Sequence, residues 1–207
     1  MEVRIDDVRL RRIQDKLDSG ERLNFDDGVA LFQTPDLLGL GYLANQVRER
    51  LHGDVTYFNV NRHINPTDVC VASCRLCAFG KKIKDTRAYT MSLDQVWETA
   101  GRDWTESLTE FHIVGGLHPK LDLDWFCDMI RGLKERFPTV HLKAFTMVEV
   151  AYLAQRGKLS IRETLQRLID AGVDSLPGGG AEVFSERVRG IICDHKITGS
   201  QWLDVAR

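Results

Sequence analysis

No stretch of this 207-residue sequence approaches the ~20 consecutive apolar residues that a membrane-spanning helix requires. Met1 to Lys16 intersperses charged residues with single aliphatic ones, so the continuous apolar region of a secretory signal is also missing. The expectation is a cytoplasmic protein with no membrane partner. An excess of either charge is lacking too: 28 Lys and Arg stand against 30 Asp and Glu. That balance removes the broad positive field that sequence-independent nucleic-acid binding needs, and no nucleic-acid partner is expected. An even cysteine count is the last absence. Of five cysteines, three fall between Cys70 and Cys77, which suits a metal or cluster site better than a disulfide framework. What is present, 43% hydrophobic and 28% charged residues, is the composition of a globular domain with a sizeable core.

The first fifty or so residues read as helical. Val8, Ile13 and Leu17 share a stripe, Gly20 breaks it, and a second pattern runs from Asp36 to Arg50. Residues 1–53 are therefore expected to form an N-terminal helical cap, and 54–207 a separate core. From Asp54 short strand-like runs recur at Val55–Val60, Glu110–Val114, Val140–Phe145 and Val173–Leu176, with helical stretches between them. Three helices announce their starts with a hydroxyl residue and Glu or Gln three positions on: Ser92/Gln95, Ser160/Glu163 and Thr198/Gln201. Another, Asp122 to Phe137, sets Phe126, Met129, Ile130 and Leu133 on one face and stops at Pro138. Such β-α alternation, with crossovers long enough for parallel strands, gives either an open doubly wound sheet or a (β/α) barrel. Both place a site at the strand C-termini. The last helix leaves Trp202, Leu203 and Ala206 in need of a partner face at the end of the sequence, so a truncated barrel is expected.

Cys70-Val-Ala-Ser-Cys74-Arg-Leu-Cys77 follows the first strand-like run, where a loop after a strand would carry it. Three thiolates from one loop suit three corners of a cubane iron–sulfur cluster and leave the fourth iron open. A zinc site would want a further ligand such as His63, and three unrelated core cysteines are the remaining reading. Cys127, in a helical stripe, and Cys193, in the run Ile191–Cys193, read as small core residues.

The cysteine triplet with Ala78-Phe79 behind it resembles the radical S-adenosylmethionine (radical AdoMet) superfamily. Asn61-Arg62-His63-Ile64-Asn65-Pro66-Thr67, Gly115-Gly116-Leu117-His118-Pro119 and Leu176-Pro177-Gly178-Gly179-Gly180-Ala181-Glu182 together resemble its aminofutalosine synthase family, from about Asp36 to Arg207. The resemblance implies a radical AdoMet (β/α) barrel, TIM-like, of which this chain covers the N-terminal part. It implies a [4Fe-4S] cluster on Cys70, Cys74 and Cys77, and AdoMet as a consumed cosubstrate. The implied reaction adds the 5′-deoxyadenosyl radical to 3-[(1-carboxyvinyl)oxy]benzoate, with loss of carbon dioxide, to give 6-amino-6-deoxyfutalosine for menaquinone. A flavodoxin or ferredoxin would donate the electron. Cyclic dehypoxanthine futalosine synthase and the deazaflavin side-ring synthase share a similar Pro-Gly-rich segment and stand as alternatives, and a non-catalytic zinc module is the rival from another class. Two residues depart from the pattern: Leu76, where an aromatic is frequent, and Asp68, where Asn is frequent.

The resemblance also sorts the other motifs. Gly115 and Gly116 permit close backbone approach and are expected to bind the AdoMet methionine part, although a Gly-Gly pair alone is an ordinary turn. Glu149 is expected to contact AdoMet, against the plain reading of a helix-start acid. His118 either orients substrate or caps its loop. Glu182 is expected to face the substrate, as is His63, which shares one polar edge with Asn59, Asn61 and Asn65.

Overall fold

Residues 4–207 are described by a computed structural model, so the first three positions of the Met1 to Lys16 segment lie outside it. The chain divides into two units, one ending at Phe58 and one spanning Asn59–Arg207. In the first, Asp7 accepts a hydrogen bond from the Arg9 amide and opens α1 (Val8–Ser19), which Gly20 closes in the left-handed region at φ 74°. α2 (Phe25–Gln33) and α3 (Leu37–His52) follow, and Ile5, Leu10, Ile13 and Leu43 form the core of this unit. Val8, expected on the buried stripe, is exposed, because Leu10 and Ile13 define the inward face and Val8 sits about 200° from Leu10 around the helix. α2 falls inside the stretch read as helical, between its two apolar patterns. Its capping box is Asn24/Asp27, with Asp in place of Glu or Gln.

The second unit carries β1 (Asn61–Ile64), α4 (Leu93–Gly101), β2 (Glu110–Ile113), α5 (Leu123–Arg136), β3 (His141–Ala144), α6 (Met147–Gly157), α7 (Ile161–Ala171), α8 (Glu186–Ile192) and α9 (Gly199–Ala206). Its strands pair in parallel in the order β1-β2-β3. The first strand lies later than the predicted Val55–Val60: pairing with β2 begins at Asn61, and Val55, Tyr57 and Phe58 are exposed. The predicted fourth strand is a single parallel bridge, Ser175 to Lys143. Ile64, Phe111, Ile113, Leu142 and Ala144 all enter one apolar core with residues from α4 to α7. The helices thus cover a single face of the sheet, as in an arc of a (β/α) barrel and unlike a doubly wound sheet.

Local signals explain the helices. All three predicted capping boxes form, and Thr146/Glu149 adds another at the start of α6. Phe126, Met129, Ile130 and Leu133 of α5 are buried as predicted, each contributing about 1.5–3 kcal/mol. α4 approaches α5 so closely that a Cβ on Gly132 would lie 2.4 Å from the Trp97 ring. Trp202 of α9 is not left open: it is partly buried, its Nε1 donates to Gly179 O at 3.0 Å, and its ring meets Phe184 edge-on.

Candidate active site

The cysteine loop leaves β1 under tight restraint. Thr67 Oγ1 donates to Tyr89 O at 2.9 Å and accepts from Val69 N at 3.1 Å. Asp68 is fully buried, pairs with Lys81 and accepts from Tyr89 N at 2.7 Å. Its negative charge, at the position where the resemblance leads one to expect Asn, is thus matched by an ammonium. Cys70 N donates to Lys81 O at 2.8 Å and Val71 N to Leu117 O at 3.0 Å. On the other side of the motif, Arg75 N donates to Ile192 O at 2.8 Å and Ser73 Oγ lies 3.0 Å from His195 Nδ1.

So held, Cys70, Cys74 and Cys77 border a cavity of about 410 Å³ whose floor is Val114, Gly115 and Gly116 at the end of β2. Thr146, Glu149, Gly180, Glu182 and Lys196 complete its other walls. The residues present fit an iron–sulfur cluster. Backbone amides already point at two of the sulfurs: Leu117 N donates to Cys70 Sγ and Gly80 N to Cys77 Sγ, each at 3.4 Å, the kind of bond that tunes cluster thiolates. Burial pushes the Cys74 thiol up, with Lys196 opposing. A Cβ on Gly116 would meet Val69 O at 2.2 Å and Cys70 Cβ at 3.1 Å, so only glycine lets β2 end this close to the loop. Ala72, Leu117 and Val148 form a small apolar cluster against Cys70 and Cys74. Among the described residues no three His, Cys, Asp or Glu side chains converge on one metal ion. The thiols ring a space instead.

The other predicted residues divide between this cavity and its surroundings. Glu149 lines it while serving the fold: Oε1 accepts from Gly115 N at 3.0 Å and Oε2 from Thr146 N at 2.8 Å. Burial raises its pKa despite those bonds. Glu182 has a left-handed backbone, φ 54°, and forms an ion pair with Lys196. His118 stands behind the cavity, where Nδ1 accepts from Lys120 N at 3.0 Å and Leu121 N at 3.1 Å; burial, then Arg156 and Lys120, push its pKa down. His63 lies on the sheet face beside His112, with Asn65 Nδ2 3.3 Å from its Nε2, and does not line the cysteine cavity. Cys127 is buried in the core on α5. Cys193 is buried too, next to Ile192, which holds the cysteine loop through Arg75. Sequence reasoning missed Lys196, a lone lysine with no local pattern, and the Asp68–Lys81 pair that braces the loop.

A model of the radical SAM superfamily matches residues 64–207. The chain belongs to that superfamily. Radical SAM enzymes use a [4Fe-4S] cluster with AdoMet, the cofactors for which the cysteine loop and glycine floor are suited. The chain is 45% identical over 197 residues to a Streptomyces coelicolor protein named aminodeoxyfutalosine synthase, covering 95% of this chain and 51% of that one. It is 40% identical over 190 residues to the FO synthase of the same organism, covering 91% of this chain and 22% of that protein. The chain thus spans about half the length of the aminodeoxyfutalosine synthase it matches. Among solved structures, methylornithine synthase superposes with a TM-score of 0.68 at 16% identity, covering 93% of this chain and 54% of that one. At that identity the likeness concerns the fold, and it agrees with a radical SAM barrel of which these strands form an arc. No helix among the described residues is long and apolar enough to cross a membrane.

Proposed function

We propose that the natural protein carrying this chain is a cytoplasmic aminofutalosine synthase, joining the adenosyl part of AdoMet to 3-[(1-carboxyvinyl)oxy]benzoate, with release of methionine and carbon dioxide, to form 6-amino-6-deoxyfutalosine for menaquinone. The reading is carried by 45% identity, over nearly the whole chain, to a protein named for that reaction. In it Cys70, Cys74 and Cys77 hold three irons of the cluster, with the Leu117 and Gly80 amides donating to Cys70 and Cys77. When bound and reduced by a flavodoxin or ferredoxin, the cluster supplies the electron that cleaves AdoMet to a 5′-deoxyadenosyl radical.

The chain's own residues then bind and orient. Gly115 and Gly116 let the methionine part of AdoMet lie against backbone, and Glu149, which already fixes the Gly115 amide, borders the same space. Glu182 faces the substrate from the cavity wall, where its ion pair with Lys196 brings an ammonium toward the substrate's carboxylates. His63 and His118 complete the set as substrate-side residues, His118 by holding the loop that follows Leu117. The 40% identity to an FO synthase favours a second reading, in which the same radical generator serves the deazaflavin side ring.

Anaerobic reconstitution with iron and sulfide, followed by turnover with AdoMet, 3-[(1-carboxyvinyl)oxy]benzoate and a strong reductant, tests both. Aminofutalosine detected by mass is the expected outcome. AdoMet cleavage without that product would shift the assignment toward the relatives, and a colourless protein holding zinc would end the radical reading.

A further inference from the structure

The side of the sheet turned away from the helices carries a second group of chemically active side chains, outside the cysteine cavity. Parallel register places His63, His112 and Lys143 in one row across β1, β2 and β3, with Asn61, Glu110 and His141 in another row. The His63 and His112 rings are 4.9 Å apart, centre to centre. Lys143 Nζ lies 2.8 Å from Glu110 Oε1, which in turn lies 4.0 Å from His112 Nδ1. The Glu110 side chain is only 9% exposed, and its Oε1 has no hydrogen-bond partner of good direction in spite of that ion contact. The interior of a (β/α) barrel is normally filled with branched apolar side chains. Two imidazoles and an ammonium stand there instead, with His63 exposed, and the buried Glu110 carboxylate beneath them carries a desolvation cost that its own contacts do not fully offset.

We infer that this row is the receiving site for the carboxylate-bearing aromatic end of the substrate. The naming of that substrate rests on the function proposed above. Lys143 supplies the charge and His112 an N–H donor, while the His63 and His112 rings, tilted 56° to each other, offer a face and an edge to the aromatic ring. Burial, with His63 and Lys143, pushes the His112 pKa down, so at neutral pH it is a neutral donor and acceptor. Glu110 is a positioning residue. It lies deeper than Lys143 or His112, whose side chains are each 26% exposed, and it holds the ammonium in place from below. The location suits the task as well. Gly115, on the floor of the cysteine cavity, is three residues beyond His112, about 10 Å at strand spacing, a span that an aromatic ring with two meta substituents bridges. A carboxylate held at Lys143 would leave the alkene end directed toward the cavity.

Lys143→Met and Lys143→Arg in the natural, reconstituted protein test the inference. Lys143→Met is expected to raise the KM for 3-[(1-carboxyvinyl)oxy]benzoate about tenfold or more, as loss of a charge-assisted contact does, with Lys143→Arg recovering much of it. Iron and sulfide content after reconstitution and the urea midpoint should match the wild type in both, which a general loss of fold would not allow. Equilibrium binding of plain benzoate, as the minimal aromatic carboxylate, should weaken in parallel. Product formation with unchanged KM and unchanged benzoate binding in Lys143→Met overturns the inference and leaves the proposed function standing. Benzoate binding that depends on Lys143, without aminofutalosine formation by the wild type, supports the site and overturns the substrate assignment. Absence of binding by either compound to the wild type defeats both.

Discussion

Cys74 is held through its two neighbours. Arg75 N is tied to Ile192 O at 2.8 Å and Ser73 to His195, so the residues on both sides of it are fixed by the segment after α8. Partial burial pushes the thiol pKa up, so binding of iron must displace its proton. Cys127 is raised by burial as well, but it faces α7 from the core, its Sγ 3.7 Å from Arg167 O. The two cysteines therefore predict opposite outcomes. Cys74→Ala should bring cluster content and AdoMet cleavage to background. Cys127→Ala should keep both, at about 1–2 kcal/mol of stability for the lost packing. Iron and sulfide analysis, visible absorbance and 5′-deoxyadenosine release read the contrast, and equal losses in the two variants would remove the assignment.

At the scale of elements, one carboxylate joins three of them. Asp174 Oδ2 accepts from Leu142 N of β3 at 2.7 Å and pairs at 2.6 Å with Lys134 near the end of α5; it precedes Ser175, the bridge residue of the fourth strand position. Burial pushes its pKa up, but the Leu142 amide and Lys134 prevail and hold it below the usual carboxylate value. A depressed folded pKa contributes stability above the unfolded pKa of about 3.9 and loses it as pH falls through the folded value. Asp174→Asn should thus cost about 1 kcal/mol at pH 7, a figure kept small because the side chain is about a third exposed, and the gap should close in acid. Urea midpoints of both proteins at neutral pH and below pH 4 check this; a gap independent of pH would show that the charge does not matter.

The same element shows where the sequence could be read and where it could not. Capping boxes such as Ser92/Gln95 are legible because donor and acceptor lie three residues apart, and the apolar stripe of α5 repeats with the helix period. Thr146/Glu149 carries the same signal but was overlooked in favour of a ligand role for Glu149. Strand limits depend on partners: β1 begins at Asn61 because that residue faces Glu110 of β2, forty-nine residues away, and no local property of Val55–Val60 reveals it. The cysteines of the site were legible by spacing. Lys196 was not, since its partner Glu182 lies fourteen residues earlier, on the other side of α8.

For the whole molecule, the decisive quantity is how much of the sheet's inner face is enclosed. The second unit pairs β1, β2 and β3 and adds a bridge at Ser175, while Asn61, His63 and His141 on the inner face are exposed. A (β/α) barrel of the TIM type closes with eight strands, and the aminodeoxyfutalosine synthase relative is about twice as long as this chain. Radical transfer to an alkene requires that water be excluded and that the reacting atoms be aligned, since small misplacements cost large factors in rate. An arc supplies three thiols and a glycine floor, which are local, but it encloses no substrate. The prediction is a separation of activities. The 207-residue chain expressed alone should take up iron and sulfide and cleave AdoMet slowly. On the function proposed above, it should form no aminofutalosine, whereas the natural protein carrying it should couple cleavage to product nearly one to one. Side-by-side assays of 5′-deoxyadenosine and aminofutalosine from reconstituted samples measure that ratio. Product from the isolated chain at a rate near that of the natural protein would show that this arc by itself shields the radical and aligns the substrate.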